Sequence, residues 1–428
     1  MKKKISFTFL TFLIIVLAII FLNDSSFNFV KKILPNNFKL YIKQKIINEE
    51  QLTILNNYHK VSYNQHNLPE TQFEDIDLKI IKLDFIDYNI KAKQYKKFFI
   101  EKIHNDLFIN TNKNFYIIEN FDLKKNKEIL SNLNEFNVDD TLGISKVNKY
   151  LFISINEKNP KSNCGNLKIL YAEINYDFLK FKNFYTFEEC LTDVLGGRIE
   201  KYNFNNENGF LITTGNYRIV HKEMHDDYQA ENFFLSQDDT SYYGKIVFFG
   251  LNNRQPVIFS KGHRNPQGLF VGNNIILSTE HGDYGGDEIN NIIYGQNYGY
   301  PISAYGENYK FRNRILKERK NYEFLKSHIV NNFKEPIFSF IPSIGISQII
   351  MVPNSFSKYW NDNYLVSSLN GRSLYRIKFD FNYEKIFYYE KIFIGERIRD
   401  LLFNEEKNKI YLALEESGSI GVISIKDK

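Results

Sequence analysis

Gly262–Pro301 reads GHRNPQGLFVGNNIILSTEHGDYGGDEINNIIYGQNYGYP, and its character differs from the chain around it. Elsewhere Lys, Asn, Ile, Phe and Tyr dominate in patterns open to many folds. Here glycines and charges of both signs cluster around two short apolar runs. Glycine reaches backbone angles closed to other residues and lets a backbone approach a ligand closely. Loops of this kind, carried on strands, are where binding and catalytic groups collect. The stretch predicts two adjacent strands with a polar, glycine-rich corner beside them.

Outward from it, the 428-residue chain is 43% apolar and 25% charged, a balance that excludes general disorder. The aromatic fraction is 16%, with 39 Phe and 29 Tyr against one Trp. Aromatic and β-branched residues fit pleated, half-buried surfaces, although a genome rich in Lys, Asn, Ile, Phe and Tyr codons produces part of the same bias. The formal charge of +5 includes Lys2–Lys4, and the other basic residues are scattered among 50 acids. No basic stripe marks a nucleic-acid partner.

Short strands are predicted at Leu78–Leu83, Leu151–Ile155, Leu167–Ile174, Phe210–Thr214, Lys245–Phe249, Asn274–Thr279, Tyr364–Ser368, Ser373–Phe379, Lys409–Leu414 and Ser419–Ile425. Asn-Gly, Gly-Asn and Asp/Asn clusters separate them. The absence of regular βα alternation argues against a doubly wound or barrel α/β fold. So many antiparallel strands without Pro/Ser linkers point to a large closed all-β architecture. A β-propeller answers best, because radial repetition protects sheet edges; an expanded pair of sandwiches competes with it. No clean repeat emerges, so the number of blades does not come from periodicity.

At the N-terminus, Lys2–Lys4 precede Ile5–Leu22, an uninterrupted uncharged run rich in Ile, Leu and Phe. Eighteen helical residues span roughly 27 Å, close to the hydrocarbon thickness of a bilayer. The lysines favour a cytoplasmic N-terminus with the remainder exported. The sequence Leu22-Asn23-Asp24-Ser25-Ser26 offers no good small-x-small cleavage site, so residues 1–22 read as an uncleaved membrane-anchor helix. Residues 23–74 read as a polar stalk with a short helix near 41–57, and 75–428 as the main domain facing the periplasm or cell exterior. Cys164 and Cys190 are the only cysteines. In an exported chain they suggest a disulfide, two unrelated buried thiols being the alternative. Neither HExxH nor paired CxxC is present.

GHRNPQGL, EHGxxGGDEIN and NYGxP occur here in one order and spacing, and together they closely resemble the glucose/sorbosone dehydrogenase family of six-bladed propellers. That family includes pyrroloquinoline quinone (PQQ)-dependent aldose sugar dehydrogenases. Gly196-Gly197-Arg198-Ile199, Thr214-Gly215-Asn216, Gly244-Lys245-Ile246, Ser367-Ser368-Leu369, Leu374-Tyr375-Arg376-Ile377, Arg397-Ile398-Arg399-Asp400-Leu401 and the Ile410-Tyr411 to Gly418 hairpin resemble its blade motifs. The resemblance covers roughly residues 75–428. It implies an all-β six-bladed propeller behind the N-terminal anchor helix.

PQQ carries three carboxylates and an ortho-quinone, and arginine's planar fork suits carboxylates. Arg264, Asn265, His281, Asn370, Arg397 and Arg399 resemble cofactor-site positions, Asn370 standing where the family has Lys. The other use of these arginines is to hold blades together through acids such as Asp287 and Asp400. Gly282 and Asp283 match positions whose backbone carbonyls help to hold the cofactor-bound Ca²⁺, and carbonyl oxygens suit calcium. Asp287-Glu288 reads as a structural acid pair at a sheet corner, metal binding being the alternative.

Two departures stand out. The family's catalytic His is Val194 here, and the Asp that orients it is Asn216. Neither takes a proton near neutral pH, and general-base catalysis is worth about 10²–10⁴-fold. Tyr300 also replaces the usual Trp of the NYGWP segment. The resemblance thus implies either oxidation of an aldose C1 hydroxyl to a lactone with an unconventional base, His221 and His225 being candidates, or a non-catalytic propeller. The latter would bind a saccharide, an acidic ligand or a protein partner in the former cofactor mouth, with membrane lipid met only through the anchor. A hydrolase or lyase using His281 with Glu280 or Asp283 is a third, weaker reading.

Overall fold

Every apolar run predicted as a strand forms one, with ends shifted by a few residues, and turn residues fold successive strands back on each other. The computed structural model describes residues 76–86, 97–160, 164–191, 194–216, 235–272, 274–283, 285–306 and 328–426, all within one compact unit. They form six antiparallel sheets. Blade 1 holds Phe99–Ile103, Asp106–Thr111, Asn114–Ile118 and Asn126–Ser131; blade 2 holds Val138–Val147, Tyr150–Lys158, Gly165–Glu173 and Lys182–Thr186. Blade 3 follows with Gly196–Phe204, Glu207–Thr214, Lys245–Gly250 and Pro256–Lys261, and blade 4 with Pro266–Gly272, Ile275–Glu280, Asp287–Asn291 and Phe338–Phe340. Blade 5 comprises Ile346–Val352, Asn363–Ser368, Ser373–Phe379 and Ile386–Phe393.

Blade 6 takes Ile398–Asn404, Lys409–Leu414 and Ser419–Ile425 from the end of the chain and its outermost strand, Ile76–Lys82, from before blade 1. The register runs from Ile76 opposite Ile425 to Lys82 opposite Ser419. The first strands of the six blades neighbour one another in a closed ring. The fold is a six-bladed β-propeller. A short parallel strand, Phe178–Leu179, extends the outer edge of blade 1.

Both faces of each blade are covered by neighbouring blades, so many strands carry continuous apolar sequence rather than strict alternation; all of Lys245–Gly250 is buried. Six apolar clusters among the described residues each fill one gap between neighbouring blades. The high phenylalanine content is spent here. Between blades 2 and 3, Phe210 packs 4.8 Å from Phe152, 5.4 Å from Phe184 and 5.7 Å from Phe249, measured between ring centroids. Each such ring contributes about 1.5–3 kcal/mol through burial.

The expected anchor (1–22) and stalk (23–74) lie outside the described residues. Among those described, no helix is long and apolar enough to cross a membrane.

Cys164 and Cys190 are joined, with Cα atoms 5.4 Å apart. The bond ties the start of blade 2's third strand to the segment after its fourth, where Gly165 and Leu191 exchange backbone hydrogen bonds of 2.8 Å. Cross-linking positions 26 residues apart restricts the unfolded chain by about 3–4 kcal/mol in the loop-entropy model. Replacing both cysteines with serine is expected to lower unfolding stability by up to that amount. Urea denaturation of the two proteins, each also with reductant, checks it: reductant should weaken only the parent.

Candidate functional site

In a propeller blade the first strand runs from one end of the ring to the other, and the loops before it and after the second strand share the starting end. The segments 262–265 and 396–397 precede first strands, while 215–216, 281–286, 369–371 and 415–418 follow second strands. The topology therefore brings Arg264, Asn265, His281, Gly282, Asp283, Asn370 and Arg397 to one mouth of the channel, with Arg399 just inside it.

Asp283 accepts from Arg264 Nε at 2.7 Å, and the His281 carbonyl accepts from Arg264 Nη1 at 2.9 Å. The fork is thus fixed against the corner after blade 4's second strand. Gly282 is required at that corner, because a Cβ there would meet the carbonyl oxygens of Gly285 and Gly286. On blade 6, Arg397 Nε and Arg399 Nε donate to the two oxygens of one carboxylate, Glu415, at 2.6 and 2.8 Å. Glu415 is 1% exposed, and the two guanidinium charges hold it below the usual carboxylate range despite its burial.

A polar chain crosses from blade 6 to blade 3. Arg399 Nη1 donates to Gln267 Oε1 at 3.1 Å, Gln267 Nε2 to Asn265 Oδ1 at 2.8 Å, and the Gly196 amide to the same Oδ1 at 3.2 Å. Beneath it lies Arg198, which spans the channel. Its Nε donates to the Gln267 carbonyl at 2.7 Å, Nη1 to Asp400 at 2.9 Å and Nη2 to the Arg399 carbonyl at 2.9 Å. Its guanidinium also lies 4.8 Å from the centre of the Phe99 ring.

The arginine partners differ from those expected. Among the described residues Asp287 pairs with no arginine: its carboxylate accepts from the backbone amides of Gly282, Ile344 and Ile346, pinning blade 4 to blade 5. Asp400 takes Arg198 rather than Arg397 or Arg399. The structural reading of the Asp287-Glu288 pair therefore fits, with Glu288 buried beside Glu280 and pushed well above the usual carboxylate range by burial and that neighbour.

His281 Nε2 lies 2.6 Å from the Ile346 carbonyl. A carbonyl only accepts, so Nε2 carries the proton and Nδ1 the lone pair. Burial lowers its pKa, so the ring is neutral at pH 7. The acid–histidine pairs required by the hydrolase reading do not form with it. Glu280 instead faces His263 Nδ1 at 3.2 Å, and Ser260 Oγ lies 2.8 Å from His263 Nε2. This Ser–His–Glu arrangement is sealed, with His263 at 0% exposure and stacked on Tyr298. It serves the blade 3–4 boundary.

Val194 packs in the apolar cluster between blades 2 and 3. Asn216 is 1% exposed, with its backbone amide on the Arg264 carbonyl at 2.7 Å and its side-chain amide 3.4 Å from Ser236 Oγ. His221 and His225 lie outside the described residues. Asn370 sits at the mouth with an exposed side chain and its backbone amide on the Ile344 carbonyl.

The donor set, three arginine forks and an asparagine amide at one mouth, fits the carboxylates of a quinone such as PQQ. A calcium ion held by side chains fits poorly. Asp283 is engaged by Arg264, and among the described residues no group of three or more His, Cys, Asp or Glu is placed to hold a metal.

Sequence reasoning missed Glu415, Gln267 and the spanning role of Arg198. The Glu415-Glu416 pair before the Gly418 turn is the one signal that could have marked an acid partner.

The glucose/sorbosone dehydrogenase family model matches residues 145–422. The chain belongs to that family. It is 24% identical to quinoprotein glucose dehydrogenase B of Acinetobacter calcoaceticus, over 64% of this chain and 71% of that protein. It is also 30% identical to the aldose sugar dehydrogenase YliI of Escherichia coli, over 39% of this chain and 43% of that one. An uncharacterised Synechocystis protein is 26% identical, and the chain spans only 38% of its length. Among solved structures, the apo soluble aldose sugar dehydrogenase of Escherichia coli superposes with a TM-score of 0.64 at 18% identity, covering 82% of this chain and all of that one. The PQQ-bound aldose sugar dehydrogenase of Streptomyces coelicolor gives 0.57 at 16%, covering 83% and 99%. At those identities the superpositions speak for the fold.

Below Arg198 and Asp400 the channel widens into a cavity of about 380 Å³, lined in part by Glu101 and Glu200. Burial pushes Glu101 up to about 7 and Glu200 to about 8, against an ordinary value of 4.5. Folded, both stay protonated where the unfolded chain has already ionised, so their contribution to stability falls as pH rises from about 4.5 to 8. Buried His263, lowered to about 3, acts in the opposite sense below its ordinary pKa. The difference between the parent and a Glu101→Gln/Glu200→Gln variant isolates the carboxylates. Thermal melts from pH 5 to 8 should show the variant gaining stability relative to the parent as pH rises.

A second expectation concerns Arg198. Arg198→Leu leaves Asp400 buried without its guanidinium and is expected to cost about 3–5 kcal/mol, read by urea unfolding.

Proposed function

We propose that the mouth binds PQQ through its carboxylates and takes an aldose beside it, making the chain a quinoprotein-type sugar dehydrogenase that oxidises a C1 hydroxyl. The observation that carries this is the convergence of Arg264, Asn265, Arg397 and Arg399, drawn from two distant segments. When bound, PQQ supplies a two-electron acceptor. The chain supplies the rest: the arginine forks pair with carboxylates, and Asn265 offers its amide. His281 is an imidazole at this mouth among the described residues, held neutral by burial with Nδ1 unprotonated. Gly282 and Asp283 carbonyls are the positions where calcium would sit by family likeness, and no step depends on it.

The same reading places the domain outside the cytoplasmic membrane, held by the apolar run Ile5–Leu22. The Cys164–Cys190 bond supports an oxidising compartment. Lipid is then met through the anchor alone.

A second reading has its own observation. Val194 belongs to an apolar cluster and Asn216 is a buried neutral amide, so the family's base and its orienting acid have no counterpart at these positions. Loss of general-base catalysis costs about 10²–10⁴-fold in rate. On this reading the propeller binds a saccharide, an acidic ligand or a protein without turning it over.

Titration of the purified full-length chain with PQQ and Ca²⁺, followed by dye reduction with several aldoses, separates the two. Binding with turnover supports the dehydrogenase and removes the binding-only reading. Binding without turnover reverses that, and no binding at micromolar PQQ ends the cofactor assignment.

A further inference from the structure

Glu415 is the only acid that touches both Arg397 and Arg399 among the described residues, one oxygen to each Nε. A guanidinium bound through Nε has its direction set, because the fork is planar and rigid. The Glu415 backbone amide also donates to the Arg397 carbonyl at 3.0 Å, so main chain and side chain fix the same pair. Gln267 then takes Arg399 Nη1 and passes the alignment to Asn265. We infer that Glu415 is the positioning residue of an anion site at the mouth, holding two arginine forks side by side to receive a polycarboxylate. The inference deepens the cofactor reading and rests on the mouth being an anion site.

Charge and position pull in opposite directions here, and that makes the role testable. Glu415 is itself negative, so on Coulombic grounds alone its neutralisation strengthens anion binding. If its work is to aim the forks, neutralisation weakens binding, because each arginine regains side-chain freedom that binding must then remove. Glu415→Gln separates the two by sign. Glu415→Asp keeps the charge but shortens the reach, and Arg399→Lys keeps the charge but removes the fork.

The measurement is equilibrium binding of PQQ, and separately of citrate as a quinone-free tricarboxylate, to the full-length chain and each variant. A thermal melt of each protein reports folding. The expected result is a dissociation constant raised about tenfold or more for Glu415→Gln, a shift of about 1.4 kcal/mol. Both charge-conserving variants should show losses of the same order. Equal or tighter binding by Glu415→Gln overturns the inference. So does parent-like binding by Glu415→Asp and Arg399→Lys, which serve as the test if Glu415→Gln melts early. Citrate binding without PQQ binding ends the cofactor reading while leaving Glu415 testable on citrate. Binding of neither by the parent overturns both.

Discussion

The interaction on which the rest depends is the buried Arg198–Asp400 pair. A ring of six blades has a hole at its centre, and the first strands lining it carry polar backbone and few large side chains to fill the space. Arg198 closes it from blade 3, reaching a blade 4 carbonyl, a blade 6 carbonyl and carboxylate, and a blade 1 ring. Asp400 in turn accepts the Ile100 amide of blade 1 at 3.1 Å. A charge in such a place is tolerable only when it is paired and hydrogen-bonded, and each of the three guanidinium nitrogens has an acceptor. One ion pair thereby fixes four blades and divides the channel into a mouth above and a chamber below.

That division gives the mouth its electrostatic character. Arg264 pairs with Asp283, whereas Arg397 and Arg399 both bind Glu415. Two forks on blade 6 are therefore held in fixed directions by one buried carboxylate. Preorganised donors of this kind bind anions without reorganising at the moment of contact. The chemistry beyond anion recognition is thinner, since the position expected to hold a base carries valine packed among phenylalanines.

Much of this was legible in the chain. The glycine-rich corner at 282–286, the strand before it and the arginines at 264, 397 and 399 all fall where their sequence motifs imply, because turn chemistry and apolar runs act locally. The absence of a visible repeat has a physical reason. Blade 3 carries a long excursion between its second and third strands, blade 4 another between its third and fourth, and blade 6 is assembled from both ends of the chain. Blade 1 went unnoticed as a motif because its strands, such as Phe99–Ile103 and Asp106–Thr111, hold apolar residues in no distinctive order. Partner choice was not legible at all. That Arg198, rather than the mouth arginines, takes Asp400 depends on positions separated by some 200 residues and on which way each side chain turns at the axis.

The seam in blade 6 has a consequence for assembly. Ile76–Lys82 precedes the other blades in sequence and Ser419–Ile425 follows them, yet they must pair along seven residues to shut the ring. Until the final strand arrives, blade 6 lacks Ile420, Val422 and Ile423, and two inter-blade clusters stay incomplete. Contacts so distant along the chain form late and slowly. Loss of either strand therefore leaves blade 6 without its closing pair and exposes an unpaired sheet edge.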